Sequence, residues 1–124
     1  MRKILLVSTA LVTLPLAGAL ADGDAAMGKR QFAPCSACHT VEVGGPNKVG
    51  PNLHGIIGRA AGMREDFVYS PALKESGVVW TEENLRAWIK KPMDLIKGTK
   101  MPFGGYASEE VQDNVLAYLK EATQ

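Results

Sequence analysis

The chain predicts an all-α fold, with about four to five short helices joined by long loops, on three observations. Four capping residues, Asp24, Ser70, Thr81 and Ser108, each precede a stretch that can be helical. No run of strand alternation occurs, and Val78-Val79-Trp80 is too short to count as one. From Val43 to Gly62 the chain is dense in glycine and proline (Gly44-Gly45-Pro46, Gly50-Pro51, Gly55, Gly58, Gly62), which reads as loop and turn. At 124 residues, with no internal repeat or low-complexity segment, this is one domain.

Taken in order, Met1 to Ala21 has the form of a secretory signal peptide, leaving a single domain over 22–124. Arg2 and Lys3 supply the positive start, an apolar stretch runs from Ile4 to Leu20, and Ala19-Leu20-Ala21 fits the small-residue cleavage rule. A retained anchor is the competing reading; Pro15 and an apolar run short of the roughly 20 residues needed to span a bilayer weigh against it. Asp24 caps a helix running to about Ala33, with Gly28 and Phe32 on one face, and Pro34 disfavours helix at the residue before it. Ser70-Pro71 is a cap followed by proline at the first helical position, and Gly77 is the stop. Thr81 starts a helix with Glu82 and Glu83 at the positive end of its dipole and Leu85, Trp88 and Ile89 on a shared face; Pro92 ends it. Ser108 starts the last helix, followed by Glu109 and Glu110, with Val111, Val115, Tyr118 and Ala122 at helical period.

The chemistry centres on Cys35-Ser36-Ala37-Cys38-His39. In an exported protein this spacing reads as a c-type haem attachment site. Two thiols three positions apart lie on one side of a helical turn and can reach two vinyl groups of one porphyrin, while the adjacent histidine offers a nitrogen to the iron. Three other readings compete. A thioredoxin-like dithiol belongs in an alternating strand–helix pattern that the flanks lack. A structural zinc site wants four ligands, and only His54 is available to complete Cys35, Cys38 and His39. A disulfide between such close cysteines would close too short a loop to stabilise much. A flat cofactor also explains the long loop at 43–62 and supplies a centre for a chain with only eight aromatic residues and few helices.

For a second iron ligand the candidates are His54, Met27, Met63, Met93 and Met101. Met27 lies too near the attachment site, Met63 sits among charged residues, Met93 follows a helix-ending proline, and His54 reads as a surface loop residue. Met101 stands in Lys97-Gly98-Thr99-Lys100-Met101-Pro102-Phe103-Gly104-Gly105, a loop free of helical period that can turn a thioether inward. A lone loop methionine ordinarily fills a gap; with a haem motif upstream, ligation becomes the stronger reading.

Together with Cys35 to Thr40, the segments Gly50-Pro51-Asn52-Leu53-His54-Gly55, Gly58-Arg59 and Gly98-Thr99-Lys100-Met101 occur in the order of the class I c-type cytochromes. The chain resembles that family, mitochondrial cytochrome c and the bacterial cytochromes c2 included, from about Asp24 to Thr123. The resemblance implies one haem c held through Cys35 and Cys38, iron ligation by His39 and Met101, and a Pro51 carbonyl bonded to the other nitrogen of His39. It places Arg59, Tyr69, Ser70, Trp80 and Thr99 near the haem propionates and Phe103 at the haem edge, and packs Gly28 and Phe32 against Val115 and Tyr118. Two positions depart from the family pattern. Trp88 stands where a tyrosine is usual and Leu73 where an asparagine is common, which implies altered tuning of the reduction potential.

The resemblance further implies a soluble periplasmic monomer that carries single electrons and is not an enzyme. Its donor would be a bc1-type complex, and its acceptor a terminal oxidase, a photosynthetic reaction centre or a peroxidase. A periplasmic dehydrogenase is an alternative donor, and an open-site haem protein is the alternative in which Met101 does not bind. Charge excludes a nucleic-acid partner: the formal net charge of +1 becomes −1 once Arg2 and Lys3 are removed, with no basic tail or stripe. Local lysines are then left to steer docking, with Lys29, Lys48, Lys90, Lys91, Lys97 and Lys100 as candidates. N-terminal sequencing of the exported protein is expected to begin at Asp22, and a retained Met1 would overturn the leader reading.

Overall fold

Four hydroxyl or carboxylate caps start four of the helices, each by accepting from a backbone N–H three residues on. Asp24 accepts from Met27 at 3.0 Å, Ser70 from Leu73 at 3.2 Å, Thr81 from Asn84 at 3.1 Å and Ser108 from Val111 at 3.3 Å. The computed structural model describes residues 23–124, so the predicted leader over 1–21 lies outside the described residues. Within them the capped helices are α1 (Ala25–Gln31), α3 (Pro71–Lys74), α4 (Glu82–Lys90) and α6 (Glu109–Ala122).

Two further single turns, α2 (Ala33–Ser36) and α5 (Pro92–Leu95), make six helices among the described residues, where the sequence predicts four to five. Each opens around a proline that reads in the sequence as a stop. Proline ends one helix because it lacks an N–H, and for the same reason it suits the first turn of the next. The segment Val78-Val79-Trp80 also does more than its length predicts. Ala60 and Val79 form an antiparallel bridge, with Ala61 N–H donating to the Val78 carbonyl and Trp80 N–H to the Arg59 carbonyl, both at 2.8 Å. The pairing is tertiary, so no local alternation announces it.

The core forms where α1 crosses α6 and α4 lies alongside α6. Gly28 is buried in the first crossing, and a Cβ there would run into the Asn114 backbone. One turn on, the Phe32 ring meets Tyr118 at 5.2 Å between centroids, over a fully buried Val115. The crossing is also polar. Asn114 accepts from Asp24 N–H at 2.8 Å and donates to Gln31 Oε1 at 3.1 Å, so its buried amide is satisfied at both ends. Leu85, Trp88 and Ile89 of α4 join Ile96, Leu116 and Leu119 in the same core. At the rim, Arg86 pairs with Asp113 at 2.5 Å and Lys120 with Glu82 at 3.0 Å.

Gly28→Ala is expected to lower the unfolding free energy by about 2–3 kcal/mol, the upper range for overpacking. Arg86→Met, which breaks a half-exposed pair, is expected to change it by less than about 1 kcal/mol. Urea titrations of both variants check the contrast.

Candidate haem site

The site begins at the turn that Pro34 starts. The N–H groups of Cys38 and His39 both donate to the Cys35 carbonyl, at 3.0 and 2.9 Å, so helical geometry continues past α2 and brings His39 in behind the two thiols. Both thiols are free and half-buried. Burial, with a smaller contribution from Cys38, pushes the Cys35 thiol up, against the opposing effect of its hydrogen bond to Tyr106.

His39 Nδ1 lies 2.7 Å from the Pro51 carbonyl. A carbonyl only accepts, so Nδ1 carries the proton and Nε2 is the nitrogen available to a metal. Gly50 flanks the ring so closely that a Cβ there would strike it. Burial pulls the His39 pKa down; the Pro51 bond opposes this and the Lys48 charge adds to it. The net result favours the neutral imidazole that metal ligation requires.

The Pro51 carbonyl is positioned in turn by Asn52, a residue to which sequence reasoning assigned no role. Its side chain is 2 % exposed. Its backbone N–H donates to Asn47 Oδ1 at 2.8 Å, its Nδ2 to Thr40 Oγ1 at 2.7 Å and the Glu42 carbonyl at 2.9 Å, and its Oδ1 accepts from His54 N–H at 3.0 Å. The available signal was an asparagine beside Gly50-Pro51, where a loop without regular structure must satisfy its backbone by side chains.

Cys35, Cys38, His39 and Pro51 face a mainly apolar cavity of about 490 Å³, and the other predicted site residues lie on its wall as well. Met101, half-buried, is in the wall, with Phe103 N–H folded back onto its carbonyl at 2.9 Å. Arg59 reaches the wall while donating to the His54 carbonyl at 3.1 Å. Tyr69 stands edge-on to Phe67 at 5.0 Å, and burial is the main cause that raises its phenol pKa. The Ser70 oxygen is used by its cap bond to Leu73, which leaves its own proton to donate. Trp80 and Thr99 line the cavity, and neither side chain has a hydrogen-bond partner among the described residues. Leu73, Leu85, Trp88 and Ile89 add apolar wall, Trp88 tilted against Trp80 at 5.2 Å.

The rejected candidates lie elsewhere. Met27, Met63 and Met93 are 36 %, 63 % and 48 % exposed and are absent from the wall. His54, read as a surface loop residue, is half-buried in its loop, with Nδ1 3.2 Å from the Val41 carbonyl. It does not complete a zinc set, since no group of three or more His, Cys, Asp or Glu is gathered among the described residues.

Comparison with known proteins agrees with this geometry. The family model described as Cytochrome c matches residues 25–123. The chain belongs to the cytochrome c family. It is 46 % identical over 98 residues to cytochrome c2 of Blastochloris viridis, covering 79 % of this chain and 77 % of that one. It is 46 % identical over 101 residues to cytochrome c2 of Agrobacterium tumefaciens (strain II Chrys), covering 79 % and 91 %. Cytochrome cH from Methylobacterium extorquens is similar in structure, with a TM-score of 0.75, 43 % identity and coverage of 80 % of this chain and 99 % of that one. Members of this family are electron carriers that bind haem c covalently, and Cys35 and Cys38 stand here in the attachment spacing.

The cavity fits such a group on its own terms. It brings two thiols, a histidine with one nitrogen free, a thioether and hydroxyl, indole and guanidinium donors around an apolar interior. Trp88 and Leu73, the two departures from the family pattern, are both 9 % exposed and both in the wall. Electrochemistry of haem-loaded Trp88→Tyr and Leu73→Asn is expected to show a shifted reduction potential, because each change adds a hydrogen-bonding oxygen beside the cavity. An unchanged potential in both would show that these positions do not tune it.

Proposed function

We propose that the chain is an exported, periplasmic one-electron carrier in which Cys35 and Cys38 attach the haem and His39 and Met101 ligate its iron. The observation that carries this reading is one apolar cavity holding both ligand side chains, with His39 already committed to Pro51 through Nδ1. The haem, when bound, supplies a one-electron iron couple whose potential its axial ligands raise. The protein's part is to hold two ligands in place, exclude water and leave an edge within reach of a partner. With His39 and Met101 both holding the iron, no ligand position would be left open to a substrate.

Arg59, Tyr69, Ser70, Trp80 and Thr99 would meet the propionates. These side chains bring a guanidinium and hydroxyl or indole donors to one wall, which buried carboxylates require. Phe103 would cover the edge. No helix among the described residues is long and apolar enough to cross a membrane, which suits a carrier moving between membrane complexes.

Donor and acceptor follow from the same chemistry: a bc1-type complex on one side, and an oxidase, reaction centre or peroxidase on the other. A periplasmic dehydrogenase would use the same surface. Docking is through a small, transient contact with a charged rim. Of the six candidate lysines, two are anchored beside the cavity. Lys100 lines it, donates to the Val68 carbonyl at 2.8 Å and lies 5.6 Å over the Phe67 ring, so it presents its charge from a fixed place. Lys48 is similarly anchored on the Ser36 carbonyl at 2.8 Å, whereas Lys91 is partly neutralised by Asp94 at 3.7 Å.

Reduced wild-type protein is expected not to bind carbon monoxide, and its ferric form to show the sulfur–iron charge-transfer band. Met101→Ala is expected to lose the band and gain carbon monoxide binding. Carbon monoxide binding by the wild type would favour the open-site alternative.

A further inference from the structure

The end of α1 carries a carbonyl that local structure does not satisfy. An unbroken helix would give the Gln31 carbonyl to Cys35 N–H, but that N–H turns to the Phe32 carbonyl at 2.8 Å. The Tyr106 hydroxyl, 75 residues away in sequence, donates to Gln31 instead, at 2.5 Å. The same oxygen lies 3.5 Å from Cys35 Sγ. Its one proton is committed to the carbonyl, so the sulfur meets oxygen lone pairs, and a free Cys35 thiol is the donor in that contact. Burial, and then the Cys35 contact, push the Tyr106 phenol up, so the hydroxyl keeps its proton.

Tyr106 is held from its backbone as firmly as from its tip. Its N–H donates to the Ile89 carbonyl on α4 and its carbonyl accepts from Gln112 Nε2 on α6, both at 2.7 Å. Gly105 before it has a φ of +108° and lies against the Lys90 carbonyl, where no Cβ fits. The Tyr106 ring stands edge-on to Phe103 at 4.9 Å, and Phe103 N–H bonds the Met101 carbonyl. A line of contacts therefore joins the Met101 loop to the turn that carries Cys35.

We propose that Tyr106 is a positioning residue, a clasp that ties the Met101 loop to the cysteine turn and keeps the Met101 thioether from being displaced. The inference rests on the reading of Met101 as an iron ligand. An external ligand such as imidazole binds only when that loop opens, so its apparent affinity scales with the open fraction. Removing the hydroxyl raises that fraction by the worth of one hydrogen bond.

Tyr106→Phe keeps the ring and removes only the hydroxyl. In the haem-loaded ferric protein it is expected to bind imidazole about fivefold to tenfold more tightly than wild type, with the sulfur–iron band fading at lower imidazole concentration. Arg86→Met, which breaks an exposed ion pair between α4 and α6, controls for general loosening and is expected to bind imidazole as wild type does. Binding by Tyr106→Phe no tighter than by either of these overturns the clasp. If Tyr106→Phe does not fold with haem, Gln112→Met, which releases the Tyr106 carbonyl, decides instead: tighter imidazole binding supports the clasp and unchanged binding overturns it. A wild-type ferric protein lacking the sulfur band removes the Met101 reading, and the clasp with it.

Discussion

A histidine can meet a metal in one orientation only if its other nitrogen is held, and here the holding bond runs from His39 Nδ1 to the Pro51 carbonyl. Much of the loop around 40–59 is arranged to keep that carbonyl where it is. Asn52 spends its backbone N–H and both side-chain ends on Thr40, Glu42, Asn47 and His54, the His54 carbonyl accepts from Arg59, and Gly50 lets the backbone lie against the imidazole. A loop of this length without regular structure is otherwise an entropic burden. Tying it by side-chain bonds lets it serve as a rigid wall.

The part of the wall around Met101 is built differently. The Met101 loop carries few side-chain bonds of its own and takes its position from residues a little further along the chain: Phe103 against Tyr106, and Tyr106 against α1, α4 and α6. One wall is thus fixed by a local polar network and the other by long-range contacts. Such a division suits a site that must be closed at rest.

Between the walls the protein contributes little core for its size. Three helices meet through Gly28, Phe32, Val115 and the α4 face, and the crossing itself is partly polar through Asn114. The apolar cavity is what a flat prosthetic group fills in this family. Covalent attachment through neighbouring cysteines makes that group part of the chain rather than a guest of the fold. Lys48 and Lys100 are anchored near the cavity on the Ser36 and Val68 carbonyls.

The linear order of residues determined the capped helices, the attachment turn and the loop that presents Met101. Each of these is a short-range pattern: a cap three residues from its N–H, two thiols and a histidine within one turn, a methionine between turn formers. The structure brings all the predicted site residues to the lining of one cavity, in a chain that shares its order with the cytochrome c family. Only the folded chain decided the rest. The bridge of Ala60 to Val79 and the reach of Tyr106 to Gln31 and Cys35 depend on partners far along the chain, while the turns at Pro34 and Pro92 and the burial of Asn52 close through nearer bonds that no helical period announces. A carbonyl left over at a helix end can be read locally, but which distant hydroxyl satisfies it is a question of packing.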